Sequence, residues 1–271
     1  MKSAWDARVE RATELISVYP FAAQALRFYA GVVVLQQKLF LEFQKNPSRF
    51  FEMDGPVWGP LNPSVFLPSF ANFLLSVRQI APTILAEAAD QLSRKGSASQ
   101  SSLLECFWLS PIIMSDDLTN GACVERCLAW LFLQPAAEYC CSHQKGAPSN
   151  ESSATCPHCG SKPIVGVLRP EGDGAKKSLI CMLCAHEWRF RRICCPACGE
   201  DREPQIAVYS AAEIPHVRID VCNSCHTYLK SVDLTKTGLA VPVVDELATM
   251  PLDLWARENG YQKLQMNLAG M

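Results

Sequence analysis

No apolar run in the 271-residue sequence approaches the roughly 18 residues that a membrane span needs, so membrane insertion is not expected. The opening Met1-Lys2-Ser3-Ala4-Trp5-Asp6-Ala7-Arg8 turns polar at once and lacks the apolar core and small-residue cleavage site of a signal peptide. A basic excess is also missing: the net charge is -2 and the pI is near 6.2. Nucleic-acid binders normally show such an excess. Residues 156–230 hold ten Lys/Arg against eight Asp/Glu. Four thiolates around one divalent ion carry a net charge of about -2 per site, which cancels that small surplus. Nucleic acid is therefore not an expected partner. The sequence contains no Gly-rich phosphate loop, no nucleophile elbow and no His-Glu-x-x-His, so no catalytic or cofactor-binding residues are assigned and the protein is not expected to be an enzyme.

What is present is globular in composition, 49% hydrophobic and 19% charged, and rich in cysteine, with fourteen. A disulfide framework is one reading of so many cysteines. The polar start favours a cytoplasmic chain with reduced thiols, where Cys-x-x-Cys pairs are more often metal ligands. Four such pairs occur: Cys156/Cys159, Cys181/Cys184, Cys195/Cys198 and Cys222/Cys225. Two thiolates separated by two residues aim at one point, and a second pair completes a tetrahedral S4 shell.

The pairs form a tandem repeat. Cys156-Pro-His-Cys159-Gly160 leads to Cys181-Met-Leu-Cys184, and Cys195-Pro-Ala-Cys198-Gly199 leads to Cys222-Asn-Ser-Cys225, with first-to-third offsets of 25 and 27 residues. Between them, Ile164–Leu168 and Ser178–Ile180 read as strands around the turn Pro170-Glu171-Gly172-Asp173-Gly174. Gln205–Tyr209 and His216–Val221 do the same in the second copy, and third strands follow at Trp188–Arg191 and Thr227–Val232. A hairpin of this length returns the second pair beside the first, which is the zinc-ribbon or rubredoxin-like plan. Sequential pairing is one of three assignments, and the matched hairpins favour it. In the Cys-Pro-x-Cys-Gly opening, Pro presets φ. The following Gly tolerates positive φ and leaves its N–H free to point at a sulfur. His226 stands where Gly would be easiest. Cys194 is spare, and His158, His186 and His226 read as non-ligands because each S4 set is already full. Units of about 40 residues are too small to be held by core burial alone, so this half is expected to unfold without metal.

Residues 1–143 read as helical. Leu15, Val18, Ala22, Leu26, Tyr29 and Val33 recur at helical spacing, and Pro20 opens a second helix. Residues 46–68, rich in Pro, Gly and Asn, read as a long loop, with helices resuming at Phe70–Ile80 and Pro82–Arg94. Gly96–Ser102 reads as a polar connector, Leu103–Met114 and Gly121–Cys140 as helices, and Ser115-Asp116-Asp117 as the break between them. Cys123 and Cys127, four apart, could form half a metal site or a redox pair but read as core residues, and Cys140-Cys141-Ser142-His143 could also reach a metal but has no partner pair near it in sequence. The expected architecture is α+β and multidomain: a helical domain over 1–150, rubredoxin-like units over 151–192 and 193–240, and a helical tail over 241–271 in which Leu254 and Trp255 pack back.

Cys156-Pro-His-Cys-Gly-Ser-Lys-Pro163, Leu179-Ile-Cys-Met-Leu-Cys-Ala-His-Glu-Trp188, Arg191-Arg-Ile-Cys-Cys-Pro-Ala-Cys-Gly199 and Ile219-Asp-Val-Cys-Asn-Ser-Cys-His-Thr-Tyr-Leu-Lys230 resemble the formate dehydrogenase accessory protein family FdhE. Asp245-Glu246-Leu247 and Glu258-Asn-Gly-Tyr261 extend the likeness, whereas the helical half carries no such signature. The resemblance implies a cytoplasmic maturation factor that binds the catalytic subunit of formate dehydrogenase before twin-arginine export. It also implies that the eight paired cysteines are the metal ligands, with two ions per chain, iron in rubredoxin-like sites or zinc. A homo-oligomer is compatible with it.

Overall fold

The computed structural model describes residues 3–51, 59–111, 121–144 and 153–271. Helix α1 (Ala4–Val18) opens with a reciprocal cap: Asp6 N–H donates to Ser3 Oγ at 3.1 Å, and Ser3 N–H to Asp6 Oδ2 at 3.1 Å. A single 3-10 turn, Pro20–Ala22, then leads into α2 (Ala23–Lys45). Pro20 breaks the helical register there. Leu15, Ala22, Leu26 and Val33 are buried as expected, but Val18 falls out of phase and is 54% exposed, and Tyr29 is only half-buried.

The expected loop over 46–68 contains helix instead. Pro47–Phe50 forms the short α3, and α4 (Pro63–Val77) starts at Pro63 and carries Pro68 inside it. Pro at the first helical position costs nothing, and a second Pro one turn later forfeits a single hydrogen bond. The apolar Val65, Phe66 and Phe70 then hold the helix against the core. The polar connector is also helical. After α5 (Thr83–Arg94), helix α6 (Ser97–Leu109) begins at the serines, because buried Gln100 donates Nε2 to Leu92 O (3.0 Å) and Lys95 O (3.2 Å) and so caps the end of α5. Met114 and the expected break at Ser115–Asp117 lie outside the described residues.

Helix α7 (Gly121–His143) is apolar on almost every side and packs against α2, α4, α5 and α6. Pro135 lies within it and has no N–H to give to Leu131 O. Gln36 of α2, itself buried, supplies the missing donor: its Nε2 lies 2.8 Å from that carbonyl.

The second half is one mixed sheet. Strands β1 (Pro163–Glu171), β2 (Gly174–Cys181) and β3 (Glu187–Arg189) form the first ribbon, and β4 (Ile206–Ser210), β5 (Val217–Cys222) and β6 (Thr227–Asp233) the second. Pro170 and Glu171 belong to the strand, so the first hairpin closes on Gly172-Asp173, with Gly172 at φ +56. The sheet order β3-β2-β1-β6-β5-β4 joins the ribbons through parallel pairing of β1 with β6. A short β7 (Gln262–Lys263) extends β6 beyond β1. At the seam Lys177 of β2 reaches Asp220 of β5, passing over Gly166 and Ser231. Lys177 Nζ and Ser231 Oγ each lie 2.7 Å from Asp220 Oδ2. A Cβ at Gly166 would overlap Ser231 Oγ, so only glycine leaves this crossing open.

Helices α8 (Pro242–Ala248) and α9 (Met250–Glu258) tie the tail to both halves. Asp245 accepts a fork from Arg11 of α1 (2.6 and 3.0 Å) and a hydrogen bond from His216 Nε2 (2.9 Å). Lys230 and Lys263 are buried among Glu246, Asp253, Asn267 and the Tyr228 hydroxyl, so every charge has a partner. Trp255 packs back on Tyr209 with ring centroids 4.7 Å apart, whereas Leu254 is half exposed. One apolar core runs unbroken from α2 and α7 into the sheet.

Candidate metal centres

The two hairpins place the Cys-x-x-Cys knuckles as the spacing requires. Register pairs Pro163 with Cys181 and Ile206 with Cys222, so each second pair arrives beside the turn that carries the first. The openings are superposable in their bonding. Gly160 and Gly199 take φ +72 and +78, Cys156 N–H reaches Ser161 O, and Cys195 N–H reaches Glu200 O, both at 2.8 Å. The expected N–H···S bond from these glycines is not formed. Their N–H groups go instead to the carbonyls of Cys156 and Cys195, each at 2.9 Å, closing the turn. Donors to sulfur come from elsewhere: Leu183 and Ala197 N–H lie 3.3 Å from Cys181 Sγ and Cys195 Sγ. After the second pairs, Ala185 (φ 53) and His226 (φ 55) both accept the left-handed conformation, so the His226 turn matches its counterpart.

The sulfurs converge sequentially, Cys156, Cys159, Cys181 and Cys184 in one group and Cys195, Cys198, Cys222 and Cys225 in the other, each within 4.8 Å of one another. Neighbouring Sγ atoms stand 3.3 to 3.6 Å apart in the first group and 3.7 Å in the second. A tetrahedron with metal–sulfur bonds of about 2.3 Å has edges of about 3.8 Å. The donor set therefore fits a tetrahedral ion and is far too open for disulfides, whose sulfurs are about 2.05 Å apart. Hydrogen bonds from its neighbours, Cys156 first, hold the Cys159 thiol far below its ordinary range. Hydrogen bonds with Cys141 and then the other three push Cys184 far above it. Sulfurs this close ionise together only around a cation.

The two groups differ in setting. The first lies under α7, where Trp130 Nε1–H donates to Met182 O at 3.0 Å and Met182 and Leu183 are buried. The second faces outward, with Cys198 exposed and Cys225 half-buried. Cys194 belongs to neither group. It is buried, with Arg191 Nη2 3.2 Å from its sulfur. Cys123 and Cys127 are buried in the core, and burial pushes Cys127 up to about 12.

The sequence reading missed one grouping. Cys141, near the end of α7, meets His158 and His186 of the first ribbon, their ligand atoms all within 4.8 Å. Its neighbours Cys184 and His186 draw the Cys141 thiol below its ordinary range, against burial. The signal lay in the asymmetry of the repeat: Ala197 and Thr227 stand where the first copy has His158 and His186.

Away from the sulfurs, Phe21, Tyr209, Ile214 and Trp255 line an apolar groove of about 760 Å³. Among the described residues no helix is long and apolar enough to cross a membrane.

Comparison with known proteins matches this geometry to one family. Residues 155–192 match the model of the FdhE central domain and residues 193–269 that of the FdhE C-terminal domain. A "Protein FdhE homolog" from Aquifex aeolicus is 38% identical over 117 residues, 42% of this chain and 41% of that protein. A second, from Pectobacterium carotovorum, is 27% identical over 98% of this chain and 87% of its own length. The crystal structure of the FdhE protein from Pseudomonas aeruginosa superposes with a TM-score of 0.72 at 25% identity, covering 98% of this chain and 96% of that one. The helical first half, the tandem ribbons with their two four-cysteine groups and the closing helices thus share the fold of a solved FdhE protein, and residues 155–269 match consecutive domains of the FdhE family.

Proposed function

We propose that this protein is a cytoplasmic accessory factor for the maturation of respiratory formate dehydrogenase. In this reading it binds the catalytic subunit, a molybdenum or tungsten and iron–sulfur enzyme, before that subunit is exported folded by the twin-arginine route. The observation that carries the reading is the match of residues 155–269 to consecutive FdhE domains, which takes in all eight paired cysteines. Cys156, Cys159, Cys181 and Cys184 hold one ion, and Cys195, Cys198, Cys222 and Cys225 a second. Tetrahedral S4 accepts iron or zinc equally. Four thiolates leave no open position for water or substrate, which favours a scaffold over an enzyme. The apolar groove at Phe21, Tyr209 and Trp255 is the kind of surface that marks protein contacts.

Co-purification tests the reading. The tagged protein is expected to capture the immature catalytic subunit from cells in which export is blocked. Failure to retain either the immature or the folded subunit removes it.

The exposure of Cys198 favours a second role, one-electron transfer at the outward-facing site. Protein purified without oxygen and loaded with iron would then bleach reversibly on reduction. A colourless protein holding two tight zinc ions assigns the sites to structure.

A further inference from the structure

The four-sulfur groups do not use three ligand-type side chains that the fold brings together. Cys141 comes from the last turn of α7, His158 from inside the first knuckle and His186 from just beyond the second pair. Their ligand atoms lie within 4.8 Å of one another, and each residue is half-buried.

We propose that Cys141, His158 and His186 form a third metal site, taking a borderline divalent ion of the zinc class and leaving its fourth position free. Imidazole and thiolate together suit such an ion, and three protein ligands are the usual complement of a site that exchanges its fourth ligand. Donors on a shared tetrahedral ion stand about 3.3 to 3.8 Å apart, so closure needs side-chain shifts of about 1 Å.

Two further features fit. His158 is held in place from behind, because its Nδ1 lies 2.5 Å from Gln144 Oε1, which leaves Nε2 for the ion. Metal-bound histidines are ordinarily oriented in this way. The rings of His158 and His186 meet edge to face with centroids 4.1 Å apart, so both are aimed at one region. Charge favours the site as well. A divalent ion in the first four-thiolate group leaves that group at about -2, and a cation bound beside it through the Cys141 thiolate reduces the net charge of the pair.

This inference does not depend on the formate dehydrogenase reading and is tested on the full-length protein. Purified protein is saturated with zinc, dialysed against buffered free zinc and analysed for metal per chain. Three equivalents are expected, the third weaker and exchangeable. His186→Gln and His158→Gln are expected to retain two and lose the third, with near-ultraviolet circular dichroism unchanged. Cobalt added as the third equivalent to the zinc-loaded native protein supplies a readout that needs no variant: tetrahedral d–d bands with a single thiolate charge-transfer band. Two equivalents in native protein and variants alike overturn the proposal. Loss of a tightly bound equivalent in Cys141→Ser also overturns it, because Cys141 would then serve the first site.

Discussion

Lys177 Nζ lies 2.7 Å from Asp220 Oδ2, so a side chain of the first ribbon is ion-paired with one of the second across the two strands between them. Both are buried, and Ser231 completes the contact. Asp220 is also paired with Arg218 Nε at 2.9 Å, so it is removal of the carboxylate that leaves Lys177 with an uncompensated buried charge, at a cost of about 3–5 kcal/mol. Asp220→Leu is expected to lower stability by about that much in urea unfolding, and Lys177→Met/Asp220→Leu by distinctly less. Equal losses in the two variants would contradict this account.

The same pair sets an acid limit. Burial pushes the Asp220 carboxyl up, but Lys177 and Arg218 outweigh it and hold the group below its ordinary value. A depressed folded value means that the contribution to stability is full above the unfolded value of about 3.9 and is lost as pH falls through the folded one. Native protein should therefore lose stability below about pH 4 more steeply than the double variant. Parallel acid titrations of unfolding free energy compare the two.

Metal loss should be ordered. The first group is covered by α7, while Cys198 of the second is exposed. A chelator is expected to remove the ion at Cys195, Cys198, Cys222 and Cys225 first. Hydrogen exchange should then rise over residues 194–205 before residues 156–184. Simultaneous loss would show that burial does not govern release.

Trp130→Phe keeps an aromatic six-membered ring but deletes the donor to Met182 O together with the fused pyrrole ring that carries it. The unpaired carbonyl should cost about 1–3 kcal/mol. Metal release from the first group should accelerate while the second keeps its rate, as chelator kinetics on zinc-loaded protein can show.

Ala185 and His226 hold left-handed backbone at the same place in the two repeats, where a side chain costs about 1–2 kcal/mol. Ala185→Gly and His226→Gly are each expected to raise the midpoint of thermal unfolding, with metal content unchanged. A fall at either position would mean that its side-chain contacts outweigh the strain.

What could be read in the sequence was local. A Cys-Pro-x-Cys-Gly knuckle is fixed by neighbouring residues, and a hairpin of known length fixes where the next knuckle lands. The parallel joining of β1 to β6 was not legible, because Gly166, Lys177, Asp220 and Ser231 acquire meaning only when distant strands meet. Proline and serine misled for a related reason. Pro68 and the serines from Ser97 to Ser102 disfavour helix locally, but apolar packing around Phe66 and the cap from Gln100 override them. Cys141 had no neighbour in sequence because its companions arrive from the ribbon.

The core that runs unbroken from α7 into the sheet bears on how the chain can be divided. The family's central-domain match begins at residue 155, which invites expression of the ribbons alone. Such a fragment would carry Val165, Leu179, Ile219 and Leu229 without the helices that complete their core, and Asp245 without Arg11. Its underside would be adhesive, and added zinc would not cure that. The seam in sequence similarity is therefore a poor place to cut, and a binding partner that pried the halves apart would expose the same apolar surface.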